Sequence, residues 1–284
     1  MSKNFDAVKF AEMFKDRVEL KKSASGQIFI TLKTQRGICH PLHSDRVKRE
    51  LRSFAKLRGE RLSESRLKDV LDELDSLAYE EGEKVVSHYR FAPYANGYIY
   101  HLGENRFLQV TDGAVSNITD LPSGIYFTES STMLSAPEPE PKVDVKALLK
   151  WFNCSDAEKL LLLAWLTYTV ATPKAAQLPY PILTIRAPAG SGKTFMCSKL
   201  IRQLVDPSSV ASQTMPKSIK DIAISAQLNH VLIYDNLRFV RRELSDELCL
   251  VSTGGSIAGR KLYTDGQEFS LELRCALVDR KSVV

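Results

Sequence analysis

Residues 182–200 read ILTIRAPAGSGKTFMCSKL, and the reading of this stretch decides the fold. Ile182, Leu183 and Ile185 make an apolar strand, residues 187–194 a loop of small residues, and the residues after Lys193 a helix. The loop, Ala187-Pro188-Ala189-Gly190-Ser191-Gly192-Lys193-Thr194, fits the Walker A spacing, with Ala187 where glycine usually opens the motif. Gly190 and Gly192 allow the backbone to curl so that its N–H groups face inward. The first turn of the helix adds unpaired donors and the positive end of its dipole. Such a cradle suits an anion. Ala189, Gly190, Ser191, Gly192, Lys193 and Thr194 are therefore the candidate nucleotide contacts. Lys193 is placed to reach the β- and γ-phosphates, and the Thr194 hydroxyl to hold a bridging Mg²⁺. The bland alternative is a Gly/Ser turn between a strand and a helix. Lys-Thr directly after the second glycine, behind an apolar strand, favours the phosphate reading. ATP and Mg²⁺ are the expected cofactors, and an α/β P-loop NTPase, a parallel sheet with flanking helices, is the expected fold of this half.

A second stretch supports the first. Residues 231–236, VLIYDN, are four apolar or aromatic residues running into Asp235, the pattern of a buried parallel strand with an acid at its carboxyl end. Asp235 is thus a Walker B candidate and, with Thr194, the expected metal site. Position 236 is Asn where a glutamate that polarises the attacking water is often found, so the base stays open between weaker candidates such as Glu243 and Asp246.

The 284 residues suffice for more than one domain, and the charged share of 26% with a hydrophobic share of 44% is ordinary for a globular chain. The longest apolar run, residues 160–166, is far short of a membrane span, and the N-terminus lacks a signal-peptide core, so a cytoplasmic protein with no membrane partner is expected. Five scattered cysteines show no metal-binding or disulfide pattern. The net charge of +5 is compatible with nucleic acid without requiring it.

Five regions are expected. Residues 1–83 form a small α+β accessory region: a helix over 5–14, a strand in GQIFITLKT paired with 37–42, a helix over Asp45–Leu57 capped by Ser44, and a helix from Ser63 to Gly82. The helix over Asp45–Leu57 is the most basic stretch. Arg46, Arg49 and Arg52 read either as phosphate-backbone contacts or as a solvated face with acidic neighbours. Residues 84–128 alternate as an antiparallel meander, with VVSHYRFA, GYIYHL, RFLQV and GIYF as its strands. Residues 129–143 are a Pro-rich linker and the expected domain boundary. Residues 144–278 hold the P-loop core, with helices over 145–152 and 157–170 and with Leu161, Trp165 and Tyr168 facing inward.

The order LPYPILTIRAPAGSGKT, LIYDN, LSDELCLVSTGG and RKLYTDGQE is similar to replication ATPases of phages and mobile elements. These are AAA+ proteins related to superfamily-three and mini-chromosome-maintenance helicases, and the resemblance covers about residues 89–278. It implies an AAA+ core, ATP hydrolysis with Lys193, Asp235 and Asn236 as catalytic residues, and a replicative DNA helicase that works as a homo-hexamer on single-stranded or forked DNA. An ATP-dependent initiator or helicase loader shares every motif, and a P-loop small-molecule kinase is a remoter alternative. A hairpin around Asp265-Gly266 would grip DNA in the ring's pore, with Arg260 and Lys261 as its DNA-facing residues. Family members continue past the strand at 274–278 to an arginine that completes a neighbour's site, so this chain is expected to bind ATP and hydrolyse it poorly. Residues 279–284, DRKSVV with its two final valines, read as translated sequencing adapter, and native sequence is expected to end near Val278.

Overall fold

In the computed structural model residues 5–140, 142–214, 218–235, 242–260 and 268–282 are described. In chain order the elements are α1 (Ala7–Lys15), β1 (Val18–Lys22), β2 (Ile28–Leu32), β3 (Ile38–Pro41), α2 (Asp45–Leu57), α3 (Glu64–Glu81), β4 (Glu83–Lys84), β5 (Ser87–His88), β6 (Phe91–Tyr94), β7 (Gly97–Gly103), β8 (Arg106–Thr111), β9 (Ala114–Ile118) and β10 (Tyr126–Thr128). There follow α4 (Val145–Leu149), α5 (Asp156–Ala171), β11 (Leu183–Ala187), α6 (Lys193–Phe195), α7 (Arg202–Val205), α8 (Ile219–Gln227), β12 (Val231–Asp235), α9 (Arg242–Thr253), β13 (Ser256–Arg260), β14 (Glu268–Glu272) and β15 (Ala276–Ser282).

Contacts divide the chain into two units, Met1–His88 with Asp120–Glu129, and Tyr89–Thr119 with Ser130–Val284. This differs from the expected boundaries at 84–128 and 129–143. The strand expected over VVSHYRFA is two strands: Arg90 takes a left-handed backbone (φ 62°), so β5 joins the first unit's sheet and β6 begins the second unit's. The segment GIYF likewise leaves the meander, because β10 pairs in parallel with β3 and β5 of the first sheet.

In the first unit the sheet order is β4-β1-β2-β3-β10-β5. The run VELKK of β1, absent from the sequence reading, pairs antiparallel with β2 from Val18↔Leu32 to Lys22↔Ile28. Asp6, Ser44 and Ser63 cap α1, α2 and α3 with their side-chain oxygens, each satisfying a first-turn N–H. Phe10, Phe14, Val47, Leu51, Phe54, Leu67, Val70 and Leu74 then bury one stripe of each helix against Leu20, Ile28 and Ile30.

In the second unit β6-β7-β8-β9 is an antiparallel meander, and β11-β15-β12 a three-stranded parallel sheet. A single bridge, Gln213↔Tyr234, extends the far side of β12. The apolar run of β12 has a direct cause: Val231 and Ile233 pack with Ile201, Val205 and Trp165 on one face. Leu232 and Tyr234 pack with Ile222, Ala226 and Val251 on the other. A strand covered on both faces has no polar side to alternate with. α5 starts with a Ser155/Glu158 capping box and buries Leu162, Trp165 and Leu166. Of the three residues expected inside, Trp165 is buried and Tyr168 packs half-buried against the same core, whereas Leu161 is 71% exposed and its neighbour Leu162 is buried in its place.

Candidate functional site

The loop after β11 takes the curl that its sequence anticipates. Gly190 (φ 78°) and Gly192 (φ 83°) are both left-handed, and a Cβ on either would meet nothing within 4 Å. The glycines are thus required by conformation, not by crowding. Gly192 caps α6, which runs without a break through a π-wound stretch, Met196–Ile201, into α7. Cys197, Ile201 and Val205 anchor this helix in the core; burial pushes the Cys197 thiol up to about 11, so it acts as an apolar group.

Lys193 is buried, and its Nζ donates to the carbonyls of Ala187 (2.7 Å) and Pro188 (2.5 Å) and to Ser191 Oγ (3.3 Å). The ammonium therefore lies inside the loop, held by neutral acceptors that an anion would outcompete. Asp235 ends β12, and Thr194 is the second residue of α6. Both bind one guanidinium: Arg280 Nε donates to Asp235 Oδ1 at 2.6 Å, its Nη2 bonds the same oxygen, and its Nη1 bonds Thr194 Oγ1. The hydroxyl and the carboxylate thus converge on the space of a single cationic group.

A buried network fixes these parts. Asp206, directly after α7, accepts from Arg90 Nε (3.0 Å) and Arg202 Nη1 (3.4 Å) and from the backbone N–H of His230 (2.7 Å) and Val231 (3.3 Å). Arg202 Nη1 also donates to Val231 O at 2.8 Å. The far end of the helix that begins at Lys193 is thereby locked to the start of the strand that ends in Asp235. His230 is fully buried, its Nε2 meets Thr169 O at 2.8 Å, and burial holds its pKa down to about 4.

Of the expected site residues, Ala189, Gly190, Ser191, Gly192, Lys193, Thr194 and Asp235 come together in the second unit. Asn236 and Lys261 lie outside the described residues, as does the Asp265-Gly266 tip; Arg260 is the last residue of β13, and its side chain and that of Glu243 lie outside them too. Asp246 is exposed on α9. In the first unit Arg46 pairs with Glu50 (3.3 Å) and Arg52 with Glu64, while Arg49 donates to its own helix at Asp45 O. Two of the three candidate phosphate contacts on α2 are thus partly neutralised. Arg280, Arg90, Arg202 and Asp206 escaped the sequence reading: no motif marks them, and Arg280 lies among the residues set aside as non-native.

Residues 143–280 match the family of actinomycete integrative conjugative element replication proteins. The matched segment holds the glycine loop, Thr194, Asp235 and Arg280, and it is similar to replication proteins of mobile elements. Two solved structures of the NrS-1 C-terminal region resemble the chain at low identity. The apo structure of residues 305–718 of that protein is 12% identical, with a TM-score of 0.44 over 99% of this chain and 58% of that one. The A form apo structure is 10% identical, with a TM-score of 0.47 over 98% of this chain and 57% of that one. This chain therefore spans less than two thirds of the length of either. No curated protein matches it closely enough to count as a relative. Among the described residues no helix is long and apolar enough to cross a membrane, and no cluster of His, Cys, Asp and Glu stands ready to hold a metal by itself.

Proposed function

We infer that the second unit is the ATP-binding core of a mobile-element replication protein, an AAA+ P-loop NTPase that works as a helicase-type motor on DNA. The observation that carries this reading is the convergence of Thr194 and Asp235 on one cation beside the glycine loop. A hydroxyl and a carboxylate are the hard oxygen donors Mg²⁺ takes, alongside phosphate oxygens and water. When bound, Mg²⁺ would be held by Thr194 and Asp235 and would offset the negative charge of the phosphates. Lys193 would turn from the Ala187 and Pro188 carbonyls to the phosphates, and the N–H groups of residues 190–194 would close around them. The family match over residues 143–280 supports a replication role, and with it DNA as the partner. The homo-hexameric ring and the pore hairpin at Arg260 and Lys261 belong to the same proposal.

Lys193→Ala tests the central claim. Removing the loop's own cation should weaken ATP binding by about 100-fold or more while the circular dichroism spectrum stays unchanged. Wild-type affinity in calorimetry would refute the phosphate reading. Strand displacement assayed with and without ATP then separates a helicase from an initiator or loader, because only the helicase unwinds a forked duplex by itself.

A further inference from the structure

Three arginines of the first unit are held by aromatic rings instead of by carboxylates. The guanidinium carbons of Arg17 and Arg58 both lie over Phe54, at 5.2 and 5.7 Å from its ring centroid, and that of Arg66 lies 5.0 Å from the centroid of Phe5. The rings are joined in turn: Phe10 meets Phe5 at 5.5 Å and Phe54 at 5.2 Å, and Phe14 meets Phe54 at 5.5 Å. The main chain fixes each arginine as well. Arg17 follows α1, its N–H donating to Phe14 O at 2.9 Å and its carbonyl accepting from Lys33 at 3.1 Å. Arg58 is the C-cap residue of α2, with its N–H donating to Ala55 O at 3.0 Å. Arg66 stands in the first turn of α3, where its Nη1 donates to Arg61 O at 3.3 Å. Phe5 precedes α1 and Arg17 follows it, so the three charges are spread from one end of that helix to the other.

These charges lack counterions. Among the described residues the only carboxylate within ion-pair distance of any of them is Glu60, 3.8 Å from Arg58 Nε. Arg17 and Arg58 are exposed, and Arg66 is half-buried. The outer face of α2 differs, because there Arg46 and Arg52 already have Glu50 and Glu64. Stacking on a ring occupies the flat face of a guanidinium and leaves its N–H edge open, and that edge is a planar fork that fits phosphate oxygens in pairs. Two cations over one ring also repel each other, a cost that an anion between them removes. We propose that Arg17, Arg58 and Arg66 form a contact surface for the nucleic-acid backbone, independent of base sequence and separate from both the glycine loop and the outer face of α2. A line of fixed forks suits a chain of regularly spaced phosphates. A replication protein meets such a chain as its substrate, and nothing in the argument needs the ATP reading.

Salt dependence tests the surface. The full chain, without nucleotide, is titrated into a fluorescein-labelled DNA single strand and into its duplex over a series of salt concentrations, and the slope of log affinity against log salt is read from anisotropy. Each phosphate contact contributes about 0.7 to that slope on a single strand and about 0.9 on a duplex. Arg17→Gln/Arg58→Gln/Arg66→Gln should therefore lower the slope by about 2 and weaken binding roughly 10-fold or more at low salt, whatever the base sequence. Arg17→Gln alone, a change at an exposed side chain, should lower it by about 0.7 to 0.9. Arg17→Lys/Arg58→Lys/Arg66→Lys keeps the charges and should keep most of the slope, and circular dichroism checks that each variant folds. Equal losses on the two DNAs identify the shared phosphodiester backbone as the ligand, and a loss on one alone identifies that form as the partner. The proposal is overturned if the folded glutamine variants keep the wild-type slope, or if Arg46→Gln/Arg49→Gln/Arg52→Gln lowers it as much. Displacement of the labelled strand by polyglutamate as readily as by unlabelled DNA would assign the surface to an acidic polypeptide instead.

Discussion

Arg280 concentrates the chemistry of the site in one side chain. Its guanidinium holds the Asp235 carboxylate and the Thr194 hydroxyl together, and so competes with any divalent cation for both donors. The pairing of β15 uses main-chain groups and is indifferent to side-chain identity, so strand formation by residues 279–282 neither requires nor rejects a native origin for them. The guanidinium contacts are different, because they depend on arginine alone. A charge-assisted hydrogen bond contributes about 1.5–3 kcal/mol in favourable settings, and partial exposure reduces that here. Arg280→Ala should therefore raise affinity for Mg²⁺-nucleotide by about 10-fold while leaving metal-free nucleotide affinity nearly unchanged. Calorimetry with and without Mg²⁺ reads the difference; equal Mg²⁺ dependence in the two proteins would mean that Thr194 and Asp235 do not form the metal site.

At the scale of elements, the helix through Lys193 and the strand β12 behave as one piece because Asp206 ties them together. Arg90 completes this joint, donating to Asp206 and to the carbonyls of Leu134 and Pro207, both at 2.6 Å, and of Leu102 at 3.3 Å. Its left-handed backbone costs about 1 kcal/mol or more relative to an ordinary conformation, which these bonds offset. Arg90→Ala leaves a buried Asp206 with one fewer cation and should destabilise the second unit by about 3–5 kcal/mol. Urea unfolding followed by Trp165 emission measures it, and a loss under about 1 kcal/mol would show that the joint is not structural. The same residue shows where sequence reading stops. Capping residues, the glycine loop and the VLIYD run were legible because each writes its structure in adjacent positions, and α2 and α3 appear as their caps indicate. The break at Arg90 was not, since the alternation of VVSHYRFA continues through it and the carboxylate that rewards the turn stands 116 positions away. Leu161 was misplaced for a related reason, although Trp165 on the same helix is buried as expected: nearly every position in LLLLAWL is apolar, so periodicity alone does not choose between Leu161 and Leu162.

Across the whole molecule four histidines are held neutral, two in each unit. Burial lowers His40 and His88 to about 4 in the first unit, and His101 to about 3 and His230 to about 4 in the second. Nearby Arg46 adds to the effect at His40 and Arg90 at His101; at His230 Lys174 and Arg90 push the same way, while the Thr169 carbonyl and Asp206 oppose them. The unfolded chain titrates these groups near the model-peptide value of about 6.5. Between that pH and about 4 the unfolded state binds more protons than the folded one, so stability is full above about 6.5 and falls as the solution is acidified. Each group removes at most about 1.4 kcal/mol per pH unit in that window. Both units should respond, and the two available probes distinguish them. The chain's two tryptophans, Trp151 and Trp165, lie in the second unit, whereas circular dichroism sees both units. Urea midpoints by either probe should drop between pH 7 and pH 5. His230→Gln keeps a donor for the Thr169 carbonyl and removes one titrating group, so its fluorescence midpoint should depend less steeply on pH than that of the wild type. A wild-type midpoint that stays flat from pH 7 to pH 5 would show that these imidazoles are not buried neutral in solution.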